Sequence, residues 1–127
     1  MKDMENRYTI QQISTITGLT VHTLRYYEKI GLLDAIARDE HGYRLYEQAD
    51  LAWLAFLLRL RATGMPIREM KRFSDLRSQG KATVSARRAM LEAHQAQIVL
   101  QIDMLQQNLR SIEEKITHYR ILEEEDQ

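Results

Sequence analysis

The feature that most restricts the fold lies in the last third of the chain. Apolar side chains fall at Ile98, Ile102, Leu105, Leu109, Ile112, Ile116 and Tyr119, separated by alternating steps of four and three. A seam that recurs every 3.5 residues on average belongs to a helix that winds around another helix. It extends back to Leu91, with Gln95 as a polar interruption. A helix over 84–122 would be on the order of 60 Å long at about 1.5 Å per residue. The 127-residue chain has no domain large enough to cover so narrow a seam along that length, and no second long helix to pair with it. The partner is therefore expected to be another copy, giving a twofold homodimer with Leu91, Ile98, Ile102, Leu105, Leu109, Ile112, Ile116 and Tyr119 as dimerisation residues. A seam laid back on its own domain is the competing reading.

Ahead of the seam the chain reads as a small domain of short helices. Thr9-Ile-Gln-Gln12 has the form of a capping box. Ile10, Ile13 and Ile16 follow at helical spacing, so a short helix runs to Thr17, and Gly18 can turn the chain after it. Thr20 can cap a second helix over 21–30, which Gly31 stops. Two short helices joined by a tight glycine-containing turn form a helix-turn-helix candidate. In the second helix Val21, Leu24 and Tyr27 share one side, where they can pack on the three isoleucines. His22, Arg25, Tyr26 and Lys29 share the other side, with Thr23 beside them. Cations, an imidazole and a phenol in one stripe suit a groove lined by phosphates and base edges; a solvated helix face is the plain alternative.

Between Leu33 and Tyr46 the pattern changes. Asp39-Glu-His-Gly42 reads as a turn, flanked by Ala35-Ile-Ala-Arg38 and Tyr43-Arg-Leu-Tyr46 as a small β-ribbon. Arg38, Tyr43, Arg44 and Tyr46 place basic and aromatic groups beside that turn, which is the composition of a wing on a nucleic-acid backbone. An ordinary hairpin with surface arginines would look the same.

A third helix is expected over 48–63, with one apolar stripe of Leu51, Leu54, Ala55 and Leu58 and a second of Trp53, Phe56, Leu57 and Leu60. So wide an apolar surface implies burial on two sides, and Trp53 and the methionines are most simply core. Pro66 suits the first turn of a fourth helix carrying Ile67, Met70, Phe73 and Leu76. Residues 77–83 read as a linker, Thr83 as the cap of the long helix, and 123–127 as an acidic tail. The fold class is thus mainly α: a winged helix-turn-helix domain over 7–76 with a β-ribbon wing, then a long dimerisation helix.

The net charge is zero, so a nucleic-acid partner requires the basic groups to be gathered on one face. There is no cysteine, which removes disulfides, thiolate metal sites and thiol nucleophiles, and suits a reducing compartment. No run of about 18 apolar residues exists, and the N-terminus lacks the apolar stretch of a signal peptide, so a cytoplasmic protein that does not span a membrane is expected. His94 and His118 are isolated and read as surface residues rather than metal ligands. No cofactor is expected. With no phosphate loop, thiol nucleophile or metal-ligand set, an enzyme is the class with least support.

The order of these elements makes a DNA-binding regulator on a twofold frame, and the residues also resemble a known family. Tyr8-Thr-Ile10, Thr20-Val-His-Thr-Leu-Arg-Tyr-Tyr-Glu-Lys-Ile-Gly-Leu-Leu33, Gly42-Tyr-Arg-Leu-Tyr46 and Leu60-Arg-Ala-Thr-Gly-Met-Pro-Ile67 resemble the DNA-binding domain of MerR-type regulators. The resemblance implies an antiparallel coiled-coil dimer on a pseudo-palindromic operator inside a promoter whose spacer is too long. Bending and untwisting of the duplex then let RNA polymerase engage both promoter boxes. It also implies that Arg25, Tyr26 and Tyr27 lie on the recognition helix, that Tyr43 and Arg44 are wing contacts, and that Arg61 holds a phosphate near the operator centre. Tyr27 is claimed twice, by the inward face of its helix and by the implied phosphate; both hold if its ring packs and its hydroxyl emerges. The long helix resembles that of the aldehyde- and electrophile-responsive branch, but the cysteine some members carry in the third helix is Arg59 here. No room is expected after Leu122 for a separate drug-binding domain. A small-molecule effector would therefore sit between coiled coil and DNA-binding domain, or the protein would switch by abundance. Two other functions fit the same pattern, a constitutive repressor or architectural DNA binder and a coiled-coil adaptor for a protein partner.

Overall fold

The computed structural model describes residues 7–34 and 36–126, and Ala35, where the expected ribbon begins, lies outside them. The chain divides into a unit ending at Arg88 and a second beginning at Ala89.

The first unit starts with β1 (Arg7–Thr9), α1 (Ile10–Thr17) and α2 (Val21–Lys29). The capping box at α1 forms: the Gln12 amide donates to Thr9 Oγ1 at 3.2 Å, and the Thr9 amide donates to Gln12 Oε1 at 2.8 Å. Gly18 ends the helix with φ +77°, a left-handed conformation that any Cβ would oppose. Thr20 caps α2 by accepting the Thr23 amide at 3.1 Å. Ile10, Ile13, Leu24 and Tyr27 are buried as their periodicity requires. Ile16 is not: it is 54% exposed. Two successive three-residue steps turn a side chain about 120° around a helix, which carries Ile16 off the core face.

The ribbon is smaller than expected. Among the described residues its two limbs meet at one antiparallel bridge, Arg38 with Arg44, supported by Asp39 N–H to Tyr43 O and Leu45 N–H to Ala37 O, each 2.8 Å. The strand that follows, β2 (Leu45–Glu47), pairs with β1 instead, antiparallel, with Tyr8 opposite Tyr46. A four-residue turn with so little pairing cannot hold a sheet alone, so the second limb takes its partner from the N-terminal segment.

α3 (Gln48–Ala62) and α4 (Ile67–Ser78) complete the helices of this unit that precede the long one. Leu54, Leu57 and Leu60 of α3 and Met70 and Phe73 of α4 are buried, Leu51, Trp53 and Leu58 half-buried, and Ala55 exposed rather than packed. The carbonyl of Leu32, just past α2, accepts Trp53 Nε1–H at 2.9 Å and Ser74 Oγ–H at 3.2 Å. One backbone group thereby ties the loop after α2 to both later helices. The Trp53 ring stacks on Phe73 with centroids 5.8 Å apart. The Arg77 guanidinium lies over the same indole, 4.1 Å from its centre, and pairs with Asp34 at 3.1 Å.

The expected linker is not irregular. Arg77 and Ser78 stay in α4, and Gly80–Thr83 form a 3₁₀ turn. The Thr83 hydroxyl donates back toward Leu76 O and Gly80 O, and its oxygen accepts Arg87 Nε–H at 3.1 Å. α5 (Val84–Glu125) follows, and none of its described residues is buried. In the second unit, Ile102, Leu105, Leu109, Ile112, Ile116 and Tyr119 are between 46% and 68% exposed. Leu91 and Ile98 are half-buried.

Candidate nucleic-acid interface

Burial of Leu24 and Tyr27 fixes the rotation of α2, and so decides what its other side presents. His22, Arg25, Tyr26 and Lys29 are exposed there, while Thr23 is half-buried with its hydroxyl accepting that of Thr20 at 2.9 Å. Tyr27 is 6% exposed, in agreement with the face analysis.

Beside α2 stands the hairpin. Its turn is held by the Asp39 carboxylate, which accepts the His41 and Tyr43 amides at 2.8 and 2.9 Å, and by Gly42 at φ +83°. Tyr43 projects from the turn, 71% exposed. Arg38 closes the turn by donating to Gly42 O at 2.8 Å and also lies 3.8 Å from the Glu28 carboxylate. Arg44 donates from Nε to the other oxygen of that carboxylate. A cleft of about 270 Å³ separates α2, the hairpin and the start of α1, lined among others by Arg25, Tyr43, Arg44 and Gln11. It joins Arg25 to the hairpin residues Gly42 and Tyr43 along one surface. Arg61, on the last turn of α3, is exposed.

Tyr46 is a correction. Expected on the wing surface, it is 1% exposed and one of the largest core side chains. Both faces of β2 are covered at this point, since its neighbour Leu45 is buried too, and the Tyr46 hydroxyl is buried with no hydrogen-bond partner among the described residues. Burial, with the neighbouring charge of Glu28 second, raises its pKa above the ordinary 10.0. So buried, it presents no surface to a ligand.

The residue that sequence reasoning misses is Glu28. It sits one step from the basic stripe of α2 with its side chain only 17% exposed, bridging both hairpin arginines. An acid in the midst of a basic stripe is the signal that could have found it. Among the described residues no group of three or more His, Asp or Glu side chains could hold a metal ion, and no helix is long and apolar enough to cross a membrane.

Comparison with known proteins adds two family models: the MerR HTH family regulatory protein matches residues 8–76, and MerR, DNA binding matches residues 51–119. An uncharacterized HTH-type transcriptional regulator of Haemophilus influenzae is 34% identical over 113 residues, which cover 89% of this chain and 84% of that one. Among solved structures, HiNmlR, a MerR family regulator lacking the sensor domain and bound to promoter DNA, superposes with a TM-score of 0.83 at 34% identity over 90% of each chain. A MerR family transcriptional regulator from Bacillus thuringiensis does so at 0.77 and 34% identity, over 87% of this chain and 97% of that one.

Proposed function

Since the chain belongs to the MerR family of helix-turn-helix regulators, we propose that it controls transcription in the bacterial cytoplasm by binding a pseudo-palindromic promoter operator as a homodimer. The observation that carries this reading is the juxtaposition in one unit of the exposed α2 stripe with the hairpin tip. His22, Arg25, Tyr26 and Lys29 enter the major groove, where a guanidinium reads guanine edges. Tyr43 and Arg61 contact the backbone on either side, and Tyr27 offers only its hydroxyl. These contacts fix the protein on the duplex, whereas the base-edge contacts give sequence preference.

The exposed seam of α5 joins two copies. Closing such a face removes apolar side chains from water, worth roughly 25 cal/mol per Å². The antiparallel arrangement implied by the family resemblance sets the separation of the two recognition helices, and that separation sets the half-site spacing. Bending and untwisting of the duplex between half-sites bring the promoter boxes within reach of RNA polymerase. The cost of deformation, several kcal/mol, is offset by the added backbone contacts.

Footprinting of the purified protein on its own upstream region tests this directly. The expected result is two protected half-sites centred between promoter boxes, with enhanced cleavage at the centre. A uniform or absent footprint at low salt contradicts it.

A further inference from the structure

The hairpin that faces α2 has little of its own to hold it. Among the described residues one bridge joins its limbs, and its turn spans Asp39 to Gly42. Ile36 and Leu45 anchor its base in the core, 6% and 8% exposed, but the tip extends beyond them. A carboxylate links the outer part to α2. Glu28 takes Arg44 on one oxygen and faces Arg38 at 3.8 Å on the other. Those two arginines are the bridged pair, one from each limb, so Glu28 grips the hairpin across its width.

This arrangement has two physical consequences. Side-chain exposures of 17% for Glu28 and 21% for Arg44 put the pair in a partly desolvated place, where a charge-assisted hydrogen bond is stronger than at an open surface. Arg44 is therefore already neutralised and is poorly available to a phosphate. A fixed negative charge within the basic stripe also lowers the attraction of that face for any duplex, whatever its sequence.

We propose that Glu28 is the positioning and specificity-determining residue of the interface: it sets the hairpin against the recognition helix and withholds Arg44 from indiscriminate phosphate binding. This rests on the DNA-binding reading above. It reassigns Arg44 from a phosphate contact to the strut through which Glu28 acts. An operator rewards the fixed geometry, because the α2 side chains and the hairpin tip meet the same stretch of duplex together. A random duplex offers only phosphates, for which loose arginines are better than tethered ones.

The test measures affinity for an operator duplex and for a scrambled duplex of the same length across a salt series, with melting curves to confirm folding. Glu28→Gln keeps the side-chain shape and removes the charge. Its expected effects are weaker operator binding, tighter scrambled-duplex binding, and a ratio of the two reduced about tenfold or more. Its salt slope on the scrambled duplex should steepen by about 0.9 as the freed Arg44 neutralises one further phosphate. Arg44→Gln should weaken operator binding by a similar factor without flattening the salt slope, and combining the two changes should add little. Glu28→Asp, with the charge on a shorter stem, should return scrambled-duplex affinity to the parent level while operator binding stays reduced; it also serves if Glu28→Gln melts early. An unchanged affinity ratio in Glu28→Gln, or a salt slope about one unit shallower in Arg44→Gln, overturns the assignment. If the unaltered protein binds no duplex in a salt-dependent way, the DNA-binding reading itself fails, and the inference falls with it.

Discussion

Replacing Tyr46 with phenylalanine should stabilise the protein, although composition alone puts this position on the DNA-facing wing. The hydroxyl of Tyr46 is buried without a hydrogen-bond partner among the described residues, and the residue is 1% exposed. An unsatisfied buried polar group costs about 1–3 kcal/mol relative to its hydrated state. Removing the oxygen vacates on the order of 10 Å³, which at about 24 cal/mol per Å³ cancels only roughly 0.2 kcal/mol of that gain. The net expectation for Tyr46→Phe is a stabilisation of about 1 kcal/mol in urea titrations with an unchanged m-value, and operator affinity equal to that of the parent. High pH separates this cause from generic packing. Burial raises the pKa of Tyr46, so the folded state holds the phenol proton more tightly than the unfolded chain does. Stability is then complete below about pH 10 and declines as the pH climbs from there toward the raised folded value. The variant lacks this decline, so its advantage should widen above about pH 10. Destabilisation by about 1 kcal/mol or more, or an advantage that does not grow at high pH, would refute the reasoning.

Three further outcomes follow from the interface and the seam. Arg25→Ala should weaken operator binding by about 1–3 kcal/mol and relax preference at one position of each half-site, read by titration against a panel of single-substituted operators. Arg61→Ala, on the proposal that this residue holds a phosphate and no base edge, should weaken binding alike on every sequence, with a salt slope shallower by about 0.9 per site. Leu109→Asp places a charge in the proposed dimer seam, so sedimentation should find monomers with little operator affinity. A dimer that survives this change would misplace the seam.

The parts of the fold that are legible in sequence are those encoded locally. The Thr9 box and the Thr20 cap each lie within four residues of their partners, and both form. The split of α2 into a buried and an exposed face follows from its period; in α3 only the breadth of the apolar surface does, since the buried Leu54, Leu57 and Leu60 cross both expected stripes and Ala55 is exposed. What stays hidden depends on contacts far along the chain. The pairing of β1 with β2 joins residues about 40 apart, across strands too short to show alternation. Tyr46 misleads for the same reason: its neighbours are basic and aromatic, but only the packing of the folded unit shows that both faces of β2 are covered there. Glu28 reads as one more charge on a surface helix until the hairpin brings Arg38 and Arg44 to it. Ile16 departs from the core because a run of three-residue steps drifts around a helix, a drift that the simple periodic template ignores.

Pairing of copies on the duplex is the centre of the account, and the mass of the complex measures it. Light scattering of the protein saturating a single-operator duplex should give the duplex plus two chains of 15.0 kDa, with no one-chain species at partial saturation. A complex that saturates at one chain per operator would contradict it.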